Sequence, residues 1–179
     1  MLLKIKCIKC IHSQKKIFFS CLIFFFLINQ NIFAETIYGK PKVIDGDTIK
    51  INLKKIRLHG IDAPEKNQIC KKNYFSLIFI NYMKNYKCGI FSKKKLTQKI
   101  KNNFIKCETE KKKDKYNRYL GTCFLNKINL NSWMVKNGYA VAYRKYSKNY
   151  ILEEEYARKE KLGIWNGEFT YPAKWRKEN

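Results

Sequence analysis

Acidic residues are scarce in this sequence: 14 aspartates and glutamates stand against 38 lysines and arginines in 179 residues, for a formal net charge of +24. Histidine is scarcer still, with two copies, and only five of the basic residues are arginines. So large a positive surplus favours a polyanionic partner. The alternative is a biased base composition that supplies lysine without selection for binding, and the charge by itself leaves this alternative open.

The sequence also lacks an apolar run of the length that a membrane-spanning helix needs. Its main apolar stretch covers residues 17–28, twelve residues, whereas a spanning helix needs roughly 20. The residues before this stretch are basic and free of acids, and Ala34 follows it. This order predicts a signal peptide over residues 1–34 and a mature domain over residues 35–179, periplasmic or secreted. The alternative is an uncleaved anchor that keeps the protein at the membrane through residues 17–28.

Paired CxxC motifs, which a four-cysteine zinc site usually needs, are missing from the mature domain. Its four cysteines are an even number in a chain predicted to be exported, which favours two disulfides. We favour Cys70–Cys88, which closes one loop, and Cys107–Cys123, which joins neighbouring strands. The two other ways of pairing the four cysteines stay open at this point.

Alternating apolar and polar residues predict short strands through much of the mature domain. The predicted strands cover residues 36–44, 47–53, 55–58, 104–108 and 119–125. The predicted helices cover residues 89–101, 131–136 and 151–161, with Asn131 as the N-cap of the second. Residues 66–88 fit either a helix over 74–86 or an irregular flap, and the residues after 168 fit a tail that packs back on the domain. The pattern predicts an α+β, mainly β fold: a five-stranded OB-fold barrel with about three helices.

The few carboxylates are grouped beside glycines and short strands. Asp47 begins one predicted strand and Asp62 ends another, so the two can converge across a barrel face. With the backbone carbonyl of Ala63 they form a ligand set for calcium or magnesium rather than zinc, since no histidine or cysteine joins it. Asp45 fits a turn residue better than a ligand. A hard cation offsets the charge of a phosphodiester, which makes a nuclease the hypothesis to test.

Three further residues suit chemistry at a phosphodiester. Glu65 follows Pro64 in a rigid loop, where its carboxylate can take a proton from an attacking water. Arg57 and Arg118 can each donate paired hydrogen bonds to phosphate oxygens, and these bonds strengthen as charge builds in the transition state. On spacing alone, a surface glutamate and arginines in surface ion pairs explain the same residues equally well.

Three motifs occur in a fixed order: VIDGDT at 43–48, RLHGIDAPE at 57–65 and DKYNR at 114–118. Together with residues 130–140 and 163–165, they resemble the thermonuclease, or staphylococcal-nuclease-like, family over a core of about residues 38–166. The resemblance implies an OB-fold barrel with three helices. It also implies calcium-dependent cleavage of DNA and RNA that leaves 3′-phosphate ends.

The same resemblance implies roles for individual residues. By motif position, the catalytic residues are Arg57, Glu65 and Arg118, and the Ca²⁺ ligands are Asp47, Asp62 and the carbonyl of Ala63. Tyr143 matches a family tyrosine that packs against the nucleotide, whereas the second such tyrosine has no clean match in Arg144-Lys145-Tyr146. The best-known member has threonine where Ala63 stands, and a backbone ligand tolerates this difference.

Two other kinds of protein compete with an enzyme. A nuclease-like barrel that binds nucleic acid without cutting it should have lost metal or arginine positions, and all of them are present here. An envelope protein whose charge contacts anionic lipid leaves the motifs unexplained. We therefore expect an exported nuclease that acts on DNA and RNA as a monomer without a stable protein partner, and that meets the membrane only if the N-terminal segment is retained.

Overall fold

Short strands make up most of the regular structure. The computed structural model describes residues 35–77 and 80–179. The predictions of a signal peptide over residues 1–34 and of an anchor over 17–28 lie outside the described residues. Within the described ranges, no helix combines the length and the apolar character needed to cross a bilayer.

The strands and helices of the described residues are numbered in chain order. The strands are β1 (Glu35–Gly39), β2 (Pro41–Val43), β3 (Thr48–Ile51), β4 (Lys54–Leu58), β5 (Ile61–Asp62), β6 (Ile69–Leu77), β7 (Ile80–Lys87), β8 (Ile105–Lys113), β9 (Tyr119–Leu125), β10 (Ile128–Asn129), β11 (Val141–Ala142) and β12 (Gly167–Glu168). The helices are α1 (Cys88–Ile100), α2 (Leu130–Lys136), α3 (Ile151–Lys159) and α4 (Pro172–Glu178), with a 3₁₀ turn at Gly163–Trp165.

The main sheet curls because one bent segment supplies both of its edges. Its strand order is β1-β8-β9-β4-β3-β2, and β1 and β2 are separated only by Lys40. The neighbours are antiparallel except β4 and β9, which are parallel. A Cβ atom at Gly39 would lie 2.7 Å from the side chain of Ile51, so the bend requires glycine. The five predicted strands are present, and the predicted α+β, OB-fold class is confirmed.

The core lies inside the curled sheet. Alternate residues of β3, β4, β8 and β9 point inward, which is the period of two expected of strands with one buried face. The buried side chains of these strands include Ile49, Ile51, Ile56, Leu58, Ile105, Cys107, Cys123 and Leu125. Cys107 and Cys123 are paired in the β8–β9 register, with a Cα–Cα distance of 4.0 Å, and form a disulfide there. The barrel wall is thus cross-linked from within.

Residues 69–77 and 80–87 pair as the antiparallel hairpin strands β6 and β7, and β6 also pairs with β12 in a separate sheet. The expectation of a helix over 74–86 or an irregular flap was therefore wrong. Aromatic residues favour strands, and the backbone pairing of β6 with β12 supports the hairpin. The spacing of the lysines suggested a helix and contained no sign of this pairing. A second disulfide, Cys70–Cys88, closes the hairpin at its base with a Cα–Cα distance of 5.6 Å. Both disulfide pairings are those favoured from the sequence.

The helices follow the predicted order, with two differences. Asn129, not Asn131, caps α2, because its side chain accepts a hydrogen bond from the backbone N–H of Ser132 at 3.1 Å. Asn131 is fully buried instead and donates to the backbone carbonyls of His59 (2.9 Å) and Gly121 (3.1 Å), which fixes α2 to the barrel. The predicted C-terminal tail contains a fourth helix, α4, with Pro172 in its first turn.

Candidate active site

The two polar blocks of the sequence meet because β3 and β4 are neighbours. Thr48 of β3 lies opposite Arg57 of β4, so Asp47, one residue before Thr48, lies beside the arginine. The chain then turns at Gly60, whose φ of +77° is in the region that favours glycine, and enters β5, which ends at Asp62. Two strand ends thereby bring two aspartates to one arginine.

Arg57 joins these two aspartates. Its guanidinium donates to Asp47 Oδ1 and to Asp62 Oδ1, each at 2.8 Å. The side chains of Asp47 and Asp62 are only 6% and 1% exposed, and buried charges of this kind must be paired. Burial disfavours the charged form of Arg57, but the two carboxylates outweigh it and raise the pKa of this guanidinium. Burial also raises the pKa of Asp62, against the opposing effect of its arginine neighbours.

The turn before β3 adds a third carboxylate. Asp45 Oδ1 accepts a hydrogen bond from the backbone N–H of Asp47 at 3.2 Å, which is the turn role expected of it. Burial and then the neighbouring charge of Asp47 raise the pKa of Asp45 to about 6. Asp47 Oδ2 accepts from the N–H of Ala63 at 3.0 Å, which ties the turn to the loop after β5.

Arg118 reaches the same site from the connection between β8 and β9. Asp114 holds it: Asp114 Oδ2 accepts from Nε of Arg118 at 2.8 Å, and its Oδ1 accepts from the Arg118 backbone N–H at 2.9 Å. The remaining guanidinium nitrogen, Nη1, lies 3.4 Å from the hydroxyl of Thr48. The turn that carries the arginine has Asn117 at a φ of +59°, a conformation that asparagine tolerates better than most residues.

Glu65 lies at the rim, on a loop that is fixed at its backbone. Its N–H donates to Oε1 of Gln68 at 3.1 Å. A Cβ atom on Gly89 would approach the carbonyl oxygen of Glu65 to 2.0 Å, so only glycine lets the start of α1 pack against this loop. The Glu65 side chain is 37% exposed and can therefore meet both solvent and substrate.

A third arginine, which the sequence did not single out, completes the cluster. Arg176 of α4 donates to both carboxylate oxygens of Asp62, at 3.0 Å and 2.9 Å, and to Glu65 Oε1 at 2.6 Å. Its position 114 residues after Asp62 gives no local pattern to read. The one available signal was that arginine is rare in this chain, with five copies.

Apart from Asp62, which is buried beside it, these side chains line one cleft of about 680 Å³. Its lining residues include Asp45, Asp47, Arg57, Ala63, Glu65, Arg118, Tyr143 and Arg176. Tyr143 packs edge to face against Tyr146, with ring centroids 4.8 Å apart, and both rings line the cleft. Tyr116, which is 65% exposed, adds a further aromatic face on the side of Arg118. The cleft thus combines carboxylates, guanidinium groups and aromatic rings, a combination suited to a nucleotide.

Comparison with known proteins identifies the family. The family described as staphylococcal nuclease homologue matches residues 55–167. This chain belongs to the staphylococcal nuclease family. An uncharacterized protein of Methanocaldococcus jannaschii, MJ1439, is 36% identical over 77% of each chain. An uncharacterized endonuclease of Haemophilus influenzae is 29% identical over 93% of this chain and 87% of its own. A micrococcal nuclease of Shigella flexneri is 30% identical over 76% of this chain and 78% of its own.

The family membership predicted from the three motifs is therefore confirmed, and this staphylococcal nuclease homologue is a hydrolytic nuclease. Its substrates are nucleic acids. The match begins at Lys55 and so contains Arg57, Glu65 and Arg118, while Asp45 and Asp47 lie before it.

The balance of charges around Arg57 indicates whether the site of this nuclease suits a metal cation. The cluster contains four carboxylates, from Asp45, Asp47, Asp62 and Glu65, and two guanidinium groups, from Arg57 and Arg176. Arg118 is matched by Asp114. The cluster is thus formally negative within a chain of +24, and its all-oxygen donors suit a hard divalent cation. Among the residues described, no three His, Cys, Asp or Glu side chains already surround one point, so a cation held here would need further ligands from water, backbone or substrate oxygens.

Proposed function

We propose that this nuclease is an exported, calcium-dependent enzyme that hydrolyses DNA and RNA and leaves 3′-phosphate ends. One observation carries the proposal: Asp47 and Asp62, from separate segments of the chain, converge on Arg57, and Asp47 and Arg57 line the same cleft as Glu65 and Arg118. Two buried carboxylates beside a guanidinium are costly if they serve stability alone. Asp47 lines an open cleft and shares Arg57 with Asp62, which favours a functional reason for keeping the pair there.

Asp47, Asp62 and the backbone carbonyl of Ala63 are the proposed ligands of the Ca²⁺ ion. When bound, the ion supplies positive charge that offsets the anionic phosphodiester and polarises its oxygens. The chain's own contribution is to hold the two carboxylates in place, and the hydrogen bond from Ala63 N–H to Asp47 at 3.0 Å does so on one side. The same bond places Ala63 next to the carboxylate with which its carbonyl is proposed to share the ion.

Glu65 is the proposed general base. Its carboxylate accepts a proton from a water molecule, and the water oxygen attacks the phosphorus atom. The bond between phosphorus and the 5′ oxygen breaks, the phosphate stays on the 3′ oxygen, and the departing 5′ oxygen takes a proton from solvent. The fixed backbone of the Glu65 loop limits how far this carboxylate can move from the attacking water.

Arg57 and Arg118 stabilise the negative charge that builds on the phosphate oxygens. Each is oriented by a carboxylate before the substrate arrives, Arg57 by Asp47 and Asp62, and Arg118 by Asp114. Preorganised donors cost little rearrangement during the reaction, which makes them effective in the transition state. A lysine in either position lacks the planar pair of donors that matches two phosphate oxygens.

The wider surface supplies the ionic part of substrate binding. The net charge of +24 attracts either nucleic acid through its phosphates and carries no base preference. Tyr143, with Tyr146 beside it, is the proposed contact to the nucleotide next to the cut, since aromatic rings stack on any base. This combination fits an enzyme with little sequence preference.

Digestion of plasmid DNA and of RNA tests the proposal. The wild-type protein with Ca²⁺ should cut both substrates, and an excess of chelator should abolish cutting. Glu65→Gln should lower kcat by about 10²–10⁴-fold, the usual contribution of a general base. Glu160→Gln, an exposed residue at the end of α3 that does not line the cleft, is the matched control and should cut normally. Undiminished cutting by Glu65→Gln or in chelator contradicts the proposal, and end-labelling shows whether the phosphate stays on the 3′ side.

The proposal of export has its own support and test. It depends on the basic start, short apolar stretch and Ala34 of the N-terminal segment. N-terminal sequencing of protein from the extracytoplasmic fraction should give Glu35 as the first residue. A retained Met1 in a membrane fraction supports the anchor over residues 17–28 instead.

A further inference from the structure

Arg176 donates hydrogen bonds both to a proposed metal-ligand carboxylate and to the carboxylate of the proposed general base. It makes a two-point ion pair with Asp62, the proposed ligand, and a third hydrogen bond, at 2.6 Å, with Glu65, the proposed base. In the described part of the chain, no other side chain donates hydrogen bonds to both carboxylates. Arg176 lies on α4, outside the segment that matches the family, which ends at residue 167.

The oxygens of Asp62 are largely used by these hydrogen bonds. Oδ1 accepts from Arg57 and from Arg176, and Oδ2 accepts from Arg176. A carboxylate has about four acceptor positions, so three are taken. A cation that binds Asp62 directly has to use the same lone pairs, next to a guanidinium that repels it. Arg176 and a divalent cation therefore cannot both hold Asp62 in this way.

The helix that carries Arg176 is anchored at its start. Gln68 donates to the carbonyl of Thr170 at 2.6 Å, and Tyr171 packs on Trp165 and Phe169. Beyond this anchor, the Arg176 side chain is 33% exposed at the rim of the cleft. The arginine can thus leave Asp62 without disturbing the barrel.

We propose that Arg176 competes with the divalent cation for Asp62, an inference that rests on the proposed function. Arg176 holds Asp62 and Glu65 until a cation displaces it. Because one guanidinium binds both carboxylates, its displacement frees the base at the moment when the ligand is taken by the ion. Cation binding and the availability of Glu65 are thereby coupled. This coupling requires α4, which lies outside the segment that matches the family.

Calorimetric titration of the protein with Ca²⁺ tests the competition. Arg176→Gln should bind Ca²⁺ about tenfold to hundredfold more tightly than wild type, the range expected when a competing charge-assisted pair is removed. Lys177→Gln is the matched control, because it removes one positive charge at the next position of the same helix. Its affinity should stay within about twofold of wild type if only general charge is at work.

Amide hydrogen exchange gives a second readout that does not depend on activity. In wild type, Ca²⁺ should speed exchange at the α4 amides of Lys174 and Trp175, because Arg176 then no longer ties the helix to the barrel. In Arg176→Gln, the same amides should exchange fast both with and without Ca²⁺. The melting temperature of the barrel, measured in parallel, separates release of α4 from loss of the fold.

The outcomes are distinguishable. Equal Ca²⁺ affinity in Arg176→Gln and Lys177→Gln overturns the competition and leaves the proposed function intact. Weaker binding by Arg176→Gln also overturns it, since Arg176 then positions Asp62 for the ion. If no variant binds Ca²⁺, Mg²⁺ or Mn²⁺, the cation assignment of the proposed function fails, and the competition fails with it.

Discussion

Arg57 donates one hydrogen bond to Asp47 and another to Asp62, both at 2.8 Å. A single guanidinium on β4 thus joins two carboxylates that come from the turn before β3 and the end of β5. They depend on an arginine that the proposed reaction also uses, so structure and chemistry are coupled at this residue.

Arg57→Lys keeps the positive charge, but it should reduce activity more than a conservative substitution usually does. A lysine ammonium is a point charge and cannot span both aspartates with a planar fork. We expect kcat to fall by about 10²–10³-fold, as when one preorganised donor to a developing charge is removed. Steady-state kinetics on a defined oligonucleotide gives kcat. Arg158→Lys on α3, where the arginine stacks on Trp165, is the control and should keep normal activity. A reduction of less than tenfold in Arg57→Lys contradicts the assignment.

Asp114→Asn should act through Arg118. Asp114 Oδ2 accepts the hydrogen bond from Nε of Arg118 at 2.8 Å and forms an ion pair with its Nη2 at 2.7 Å. Removal of this carboxylate leaves the guanidinium less well oriented, so we expect kcat to fall by about tenfold with KM little changed. The measurement is the separate determination of kcat and KM. A variant that raises KM alone shows instead that the pair serves substrate binding.

The same pair gives a pH dependence of stability with a defined sign. Burial opposes ionisation of Asp114, but hydrogen bonds from Arg118 and Tyr116 outweigh it and lower the pKa of Asp114 below 3.8. Its stabilising contribution is fully present above about pH 4 and disappears as the pH falls through the lowered value. The free energy of unfolding of wild type should exceed that of Asp114→Asn by about 1 kcal/mol at neutral pH, and the difference should shrink below pH 4. A difference that grows on acidification contradicts this.

The β6–β7 hairpin should supply part of the ionic attraction for nucleic acid. Between Glu65 and Glu108 the sequence has no acidic residue, and the hairpin exposes Lys72, Lys84 and Lys87. Replacing these three by glutamine should weaken binding to duplex DNA and reduce the salt dependence of log K by about 0.9 for each phosphate that the variant no longer neutralises. Binding is measured by fluorescence anisotropy in chelator, so that no cutting occurs.

Three exposed lysines on other elements serve as the control for the hairpin. Lys127, Lys159 and Lys161 are exposed, and their replacement by glutamine removes the same charge. If the two triple variants show the same decrease in affinity and in salt dependence, net charge alone explains binding. A larger decrease in the hairpin variant assigns phosphate binding to the hairpin.

Local sequence patterns were enough for the barrel strands and not for the hairpin. The alternation in residues 47–53 and 119–125 depends only on which side chains face the core, so it is visible in the sequence itself. The lysines and aromatics of β6 and β7 suit several conformations. The pairing of β6 with Gly167 and Glu168, almost a hundred residues later, is a long-range interaction that no short window contains. Asn131 failed as a cap for the same reason, since its partners are carbonyls of His59 and Gly121 in the barrel.

The sequence by itself determined the family, the barrel strands and the set of candidate residues, because strand period, turn glycines and motif order are local properties. Only the tertiary structure decided how those residues are joined. It placed one arginine between Asp47 and Asp62, and it brought Arg176 onto Asp62 and Glu65 from 114 and 111 residues away. Such ion pairs depend on how the chain folds back on itself, because the residue type of an arginine does not determine which carboxylate it will contact.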